Sequence, residues 1–455
     1  MRTTLLAFSC LFVITSFAQD SSFQIKDYKY RTPRFRALVL STNLSGDISR
    51  RSHASSDSSL ENHFQLFPTS LFYNQFVSTD EKFSFSSLSL GTTYSYASRN
   101  ANYNRKESGG NGGVEWKFEN RYFRKKNWFW QVGNDASVKG SFFKQTIYPI
   151  NSREADASDA LKLGFGKGRI EMVQDAQMAL YILKDLKAEG LIEGEVDSST
   201  IYEFARLITA INNKRVFDSR RKRIYELTKI DSFLRRNGVA KETDIRYFTI
   251  INDDWSFAYN PDRSSGKDWF FHLVPSVQYS KSKWRTKTTG TDMALTSYGL
   301  MPEIGVERYK PLSLKWQSNF LSTLSWARNS YKSKMTQFYP GATPFETKGS
   351  QDFNETQLDI FYRIGYYPST RTNVNSGFGL TASYFSFQNS YSKDRLLLNP
   401  SFVFLGDYFI SYRTRLTVNL TTDYQYNHIN WSPGGSSNSC EFHLSFNAGL
   451  THAFL

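Results

Sequence analysis

The stretch YFISYRTRLTVNLTTDYQY, residues 408–426, alternates apolar and polar side chains along its whole length. Tyr408, Ile410, Tyr412, Leu416, Val418, Leu420, Tyr424 and Tyr426 fall on one face. Ser411, Arg413, Arg415, Thr417, Asn419, Thr421, Asp423 and Gln425 fall on the other. A period of two is the signature of a β-strand, whose successive side chains point to opposite faces. Strands of soluble domains usually run about 5–6 residues. A tilted strand needs about 9–11 to cross a bilayer, and this run exceeds that length.

The pattern recurs over residues 34–143 and 245–455. Val114, Trp116, Phe118 and Tyr122 alternate with Glu115, Lys117, Glu119 and Arg121. Leu312, Leu314, Trp316, Phe320, Leu324 and Trp326 alternate with Lys315, Gln317, Asn319 and Thr323. Leu358, Ile360, Tyr362, Ile364 and Tyr366 oppose Gln357, Asp359 and Arg363. Between Phe83 and Ser98 the apolar phase flips near Ser86-Ser87, which reads as a bulge or a misplaced boundary.

Connections alternate in length. Short ones lie at Ser78–Lys82, Arg124–Asn127, Tyr309–Pro311, Tyr367–Arg371 and Leu405–Asp407. Longer polar ones lie at Ser49–Glu61, Ser98–Gly113, Lys283–Leu295, Ser330–Phe353 and Asn427–Ser439. Outer-membrane barrels have short periplasmic turns and long outer loops, so the alternation gives each strand end a side. Counted this way the chain holds about 14 strands with both termini in the periplasm.

Composition agrees with a wall that shows only every second residue to lipid. The chain has 40% hydrophobic residues and 16% aromatic ones, with 38 Phe, 27 Tyr and 9 Trp. Mean hydropathy is −0.49, as expected of a barrel with a polar inside. Residues 1–18 read as a signal peptide: Arg2, an apolar run from Leu5 to Phe17, and the small-residue site Ser16-Phe17-Ala18 before Gln19. Loss of Cys10 with that segment leaves Cys440 alone, which excludes an internal disulfide and a cysteine-pair metal site. The formal net charge of +14 suits contact with anionic lipid.

Residues 152–246 break the pattern. Ile170, Val173, Ala176, Leu180, Leu183 and Leu186 recur at helical spacing and end at Gly190. Ile201, Phe204, Ala205, Ile208 and Ile211 follow, then Phe217, Ile224, Leu227, Ile230, Phe233 and Leu234 before Gly238. Three amphipathic helices are predicted, packed on one another or on the barrel. Residues 246–259 are predicted as the returning strand, which puts the helices outside the cell or folded back into the lumen. The expected organisation is thus a signal (1–18), N-terminal strands (19–151), a helical insert (152–246) and C-terminal strands (247–455).

Ionised groups facing hydrocarbon at mid-bilayer cost about 2–4 kcal/mol each, so the charged faces must turn inward. The expected lumen lining is Glu115, Lys117, Glu119, Arg121, Asp135, Lys139, Glu303, Glu307, Lys315, Asp359, Arg363, Arg413, Arg415, Asp423 and Glu441. The glycines of residues 164–169 read as a hinge opening the first helix rather than an anion site, since no nucleotide-binding spacing is present. The basic run Lys214, Arg215 and Arg220–Arg223 reads as a solvated helix face, with an anionic envelope surface as the alternative. His272, His443 and His452 lie on predicted strands without metal-binding spacing or a nucleophile motif, so no cofactor, metal or catalytic residue is assigned.

From Glu441 to Leu455, Phe442, Leu444, Phe446, Ala448, Leu450, His452 and Phe454 share one face. This resembles the terminal strand by which the barrel-assembly machinery recognises outer-membrane proteins, although Leu455 follows the aromatic residue. The Ala18-Gln19 junction resembles that of exported proteins of the Bacteroidota. The resemblance implies a porin-like barrel in a Gram-negative outer membrane, with lipid, lipopolysaccharide and the assembly machinery as partners. The reading is an all-β transmembrane antiparallel barrel with a helical insert, acting as a passive channel or uptake porin for small polar solutes and binding no nucleic acid. A non-conducting binding or structural barrel is the alternative, and a lipid-modifying enzyme the third.

Overall fold

The computed structural model describes residues 23–52, 58–100, 104–146, 149–214, 218–241, 243–257, 263–388, 394–411, 414–431 and 435–452. Six strands come first: β1 Thr32–Ser52, β2 Ser58–Ser78, β3 Lys82–Asn100, β4 Asn104–Phe123, β5 Trp128–Gln145 and β6 Ile150–Met172. Four helices follow: α1 Gln174–Ala188, α2 Ser198–Asn212, α3 Ser219–Arg236 and α4 Ile245–Ser256. The rest is again strand: β7 Ser264–Arg285, β8 Gly290–Pro311, β9 Trp316–Phe338, β10 Phe345–Ser369, β11 Thr372–Phe387, β12 Arg395–Ser411, β13 Thr414–Trp431 and β14 Gly435–His452.

All 14 strands form one antiparallel sheet in chain order. The wall curls into a barrel. Arg121 on β4 reaches Asp268 on β7 at 2.7 Å, Arg169 on β6 reaches Ser78 on β2 at 3.1 Å, and the N-terminal 3-10 turn Ile25–Asp27 packs on β7 and β8. No ladder joins β1 to β14 among the described residues.

Strands of 16 to 25 residues far exceed a bilayer crossing. On β7 the outward face runs Trp269, Phe271, Leu273, Pro275, Val277, Tyr279 and only then Lys281, Lys283 and Arg285. Ten residues at about 3.3 Å each, tilted by about 40°, span about 25 Å, the height of the apolar band of an outer-membrane barrel. Trp128, Trp269 and Trp316 mark its edge beside the short turns; Tyr279, Tyr298 and Trp326 mark the other. Beyond that second edge the strands continue.

Here the expected long loops are corrected. Ser49–Glu61, Ser98–Gly113, Lys283–Leu295, Ser330–Phe353 and Asn427–Ser439 are largely paired strand where the structure describes them. Past the band both faces meet water, so the apolar alternation disappears while the backbone ladder persists. The run 408–426 is also corrected: it is two strands, β12 ending at Ser411 and β13 starting at Thr414, while Leu405–Asp407 lies within β12. Tyr408 stands opposite Leu416, so one face carries through the hairpin and hides the turn in the alternation.

The flip near Ser86-Ser87 is not a bulge, because β3 pairs with β4 without a register shift. Phe83 and Phe85 stand opposite Arg121 and Glu119 on the inner face, where Phe83 packs edge-on against Phe76 at 5.3 Å. Residues 164–169 likewise belong to β6 rather than to a hinge. Their glycines receive inward rings: a Cβ on Gly166 would sit 2.5 Å from Phe129, and one on Gly164 would sit 2.3 Å from His272. Gly305 does the same for Phe270, at 2.3 Å.

The helical segment is displaced from its expected bounds. Residues 152–172 are strand, and 245–256, expected as the returning strand, are helix. The two substitutions leave the strand number at 14 and reverse the parity. The helices therefore lie at the end of the short turns Ser78–Lys82 and Arg124–Asn127, not at the opposite end. The local physics is plain. Asp197, Asp218 and Asp244 each accept a backbone N–H from the first turn of α2, α3 and α4. Gly190 and Gly238 adopt φ of +71° and +65° where α1 and α3 stop. The expected signal peptide and the terminal Phe454-Leu455 lie outside the described residues.

Replacing Gly305 by Val should force the Phe270 ring, held at 4.3 Å from the His272 ring, out of its place at a cost of about 1–3 kcal/mol. Heat-modifiable gel mobility should show less folded barrel, and adding Phe270→Ala should restore it. Unchanged folding of the single variant would contradict the ring-on-glycine wall.

Candidate functional site

The helices form a bundle whose core takes Ala176, Ala179, Ile182 and Leu186 of α1, Ile201, Phe204, Ile208 and Ile211 of α2, Ile230, Phe233 and Leu234 of α3, and Tyr247, Ile251 and Trp255 of α4. Ile224, expected inward, is 57% exposed. The N-terminal segment joins this core through Phe23, Ile25, Tyr28 and Tyr30. The Tyr28 hydroxyl lies 2.5 Å from Thr209 Oγ1, which donates to Asp175 Oδ2 at 2.5 Å. Burial pushes the Asp175 carboxyl up to about 6.

The bundle is tied to the barrel where it enters and leaves. The Val173 N–H donates to the Arg263 carbonyl at 2.9 Å, joining the last residue before α1 to the residue before β7. The Arg263 side chain is fully buried. It donates to the carbonyls of Leu314, Ser313 and Trp316 at 2.6, 2.9 and 3.0 Å and to Gln317 Oε1 at 2.8 Å. Its guanidinium stands 5.0 Å from the centre of the Tyr367 ring. A buried cation with this many acceptors is costly to leave unpaired, so the β8–β9 turn and the bundle exit are fixed together.

From α1, the Tyr181 hydroxyl donates to the Tyr367 carbonyl and lies 3.3 Å from the Leu314 carbonyl. Burial pushes its ionisation up to about 12, so it remains a donor. From α4, Asp253 takes the Arg371 guanidinium in an ion pair and Asp254 accepts from Thr370 Oγ1 at 3.1 Å. Phe257, just after α4, meets Phe409 of β12 at 5.4 Å. On the other side Tyr30 meets Phe76 of β2 at 6.0 Å. The bundle and N-terminal segment thus touch the wall from β2 through β6 and β7 to β12, across the short-turn mouth.

Sequence reasoning assigned none of Tyr181, Asp253, Asp254, Arg263 and Arg371. The signal was the pair Asp253-Asp254, which spoils a strand. On a helix it leaves Tyr247, Ile251, Asp254 and Trp255 on one buried face.

Above this cap, the structure places the expected lining residues in ladder pairs rather than one cluster. Lys117 pairs with Asp135 at 3.0 Å and Lys139 with Glu115 at 2.7 Å. Arg121 bridges Glu119 at 2.8 Å and Asp268 at 2.7 Å, with Glu307 nearby. Glu303 holds His272 at 3.0 Å. Asp359 accepts from Thr381 at 2.7 Å. Arg415 pairs with Asp407 at 2.6 Å. Arg363 stands opposite Asn319 and Gly377. Asp423 stands opposite His443, and His443 lies 3.5 Å from Glu441. Lys315 is not on the wall but in the turn between β8 and β9, exposed. Arg413 lies outside the described residues.

No group of three or more potential metal ligands occurs among the described residues. In the basic run, Lys214 sits 4.3 Å from the Tyr225 ring, and Lys222 and Arg223 lie 3.7 and 3.6 Å from Glu226.

No protein-family model matches the chain, and no curated protein matches it. Among solved structures it is similar to the β domain of the Bordetella autotransporter BrkA, at 9% identity and TM-score 0.25, over 82% of this chain and 99% of that one. It is also similar to the ferric yersiniabactin uptake receptor FyuA of Yersinia pestis, at 6% identity and TM-score 0.30, over 93% and 73%. The toluene transporter TodX of P. putida matches at 11% identity and TM-score 0.14, over 92% and 90%.

Asp254 gives the docked cap a pH dependence. Burial, with Asp185 and Asp253 nearby, pushes its carboxyl up to about 7 from an ordinary 3.8, against the pull of Thr370 and Arg371. The docked form therefore keeps a proton that the freed form loses. Docking is strongest below about pH 4 and weakens as pH rises toward 7, by at most about 4 kcal/mol. Hydrogen exchange in α4, corrected for intrinsic rates, should be faster at pH 8 than at pH 5, and Asp254→Asn should flatten the difference. A wild-type protein with no such difference would contradict the assignment.

Proposed function

We propose that this chain is an outer-membrane barrel enclosing a passage for small polar solutes, and that its helical bundle holds the periplasmic mouth shut. The observation that carries this reading is the span of the cap, whose polar contacts seize two successive short connections, β8–β9 and β10–β11, through Arg263, Tyr181, Asp254 and Asp253. The two aromatic edges about 25 Å apart suit a bilayer. The short turns at the cap end support a periplasmic orientation for it.

In this reading the inner charges of Glu115, Lys117, Glu119, Arg121, Asp135, Lys139, Glu303, Glu307, Asp359, Arg363, Arg415, Asp423 and Glu441 line the passage. Many are neutralised by partners across the ladder, which leaves a polar wall with little net field. That pairing also favours a second reading, a barrel that does not conduct and serves as a rigid envelope anchor presenting its bundle to a periplasmic partner.

Recordings in planar bilayers separate the two. The wild-type chain should be silent or open rarely, and the double variant Tyr181→Phe, Arg371→Glu should open in stable steps, because it removes the hydroxyl donor and makes Asp253 face a like charge. Equal conductance of both proteins would show that the bundle is no gate. Silence of the double variant, with α4 shown by hydrogen exchange to be released, would favour the anchor.

A further inference from the structure

The outward face beyond the second aromatic edge carries a hollow of about 930 Å³ across β3 to β7. Its floor is made of residues without bulk, Gly112, Gly140 and Ala155, beside Gly110, over which the Phe142 ring lies. These stand on the lipid-side face, since Gly110 pairs with Phe142, Gly140 with Ala155 and Ala155 with Lys281, in line with Val114, Val138 and Val277 lower on the same strands. A Cβ on Gly140 would touch only a carbonyl oxygen at 3.6 Å, so the space above it is open. Tyr94 and Phe142, 6.5 Å apart between ring centres, wall the side.

Four cations rim the hollow: Lys144, Arg153, Lys281 and Lys283, all exposed. None makes an ion pair among the described residues, whereas Lys334 and Lys348 farther round the wall share Glu346 at 2.9 and 3.1 Å. The lining holds one acid against these four cations. Glu154, also on its lining, accepts from Ser141 at 3.3 Å, and Asp292, opposite Lys283, is held by Arg285 at 2.5 Å. Excess positive charge around an apolar floor, just above the level where hydrocarbon ends, calls for a ligand with phosphate at its head and acyl chains below it.

We propose that this hollow binds the phosphorylated sugar head of an outer-leaflet glycolipid of the lipopolysaccharide type, its chains descending past Phe142 and Tyr94 along the apolar band. The site rests on the membrane orientation given above, but not on the gate. The cations take the phosphates, and the glycine floor lets the sugar approach the backbone, where any larger side chain would lift it away.

The probe is bis-phosphorylated lipid A added to the purified full chain in a neutral sugar detergent, with bound lipid counted by native mass spectrometry. Retention should fall roughly tenfold or more in the variant Lys144→Gln, Arg153→Gln, Lys281→Gln, Lys283→Gln, and it should fall also in Gly140→Leu, which fills the hollow and keeps every charge. Changing Lys332, Lys334 and Lys348 to Gln should have little effect. Lipid A stripped of phosphate should bind the wild type as poorly as lipid A binds the variants. Equal retention by the wild type and Gly140→Leu overturns the proposal even if the fourfold variant does not fold. Indifference to the lipid phosphates overturns it too, as does displacement by millimolar inorganic phosphate, which would mark a free-anion site. Failure of the wild type to behave as a heat-modifiable membrane barrel would instead overturn the reading on which the site rests.

Discussion

Inside hydrocarbon no water is present to satisfy a backbone N–H or C=O, so a chain that crosses with strands must pair every strand with its neighbours. That requirement explains the simplest feature of this molecule, a meander in which β1 to β14 follow one another without a crossover. It also explains why the strands outlast the membrane. Once two neighbours are paired across the apolar band, extending the ladder into water costs little, and the hairpins of β7 and β8 or β9 and β10 continue well past Tyr279 and Trp326. Side chains then sort by what surrounds them: aromatic and branched residues toward lipid, paired ions and glycine-seated rings toward the interior.

A wall of this kind solves its own hydrogen bonds and leaves its ends open. The insertion between β6 and β7 uses one end. Four short helices, none apolar and long enough to cross a membrane, bury their faces on one another and on the N-terminal segment. They then fasten to the barrel with few but well-satisfied polar groups. Arg263 is the pivotal one, because it sits where the chain re-enters the wall and spends its donors on the next turn along. The contact of α4 with Thr370 is different in kind, since it involves the Asp254 carboxyl, whose charge state responds to pH.

Much of this was legible in the residues. The period-two runs of Val114–Tyr122 and Leu358–Tyr366 specify strands with their faces correctly assigned, and Ile201–Ile211 specifies a helix with its buried side. The rest was obscured for physical reasons. A tight hairpin that keeps parity, as between Tyr408 and Leu416, leaves no mark in the alternation. Strand in water on both faces looks like loop, which concealed the upper hairpins and the first part of β6. At the end of α4, Trp255 and the following Phe257 imitate a strand, while the fixed spacing of Tyr247, Ile251 and Asp254 shows itself only against a partner surface. Pairing across the ladder, such as Lys139 with Glu115, needs the register, and one sequence does not supply it.

In the proposed arrangement the bundle closes the periplasmic end of a barrel whose long hairpins face the exterior. Single cysteines at Ser199, in the first turn of α2, and at Lys287, in the turn between β7 and β8, test it in a Cys440→Ser background. With a membrane-impermeant maleimide, Lys287→Cys should label on intact cells and Ser199→Cys only after the outer membrane is opened. Labelling of Ser199→Cys on intact cells, with Lys287→Cys protected, would reverse the orientation and contradict the account.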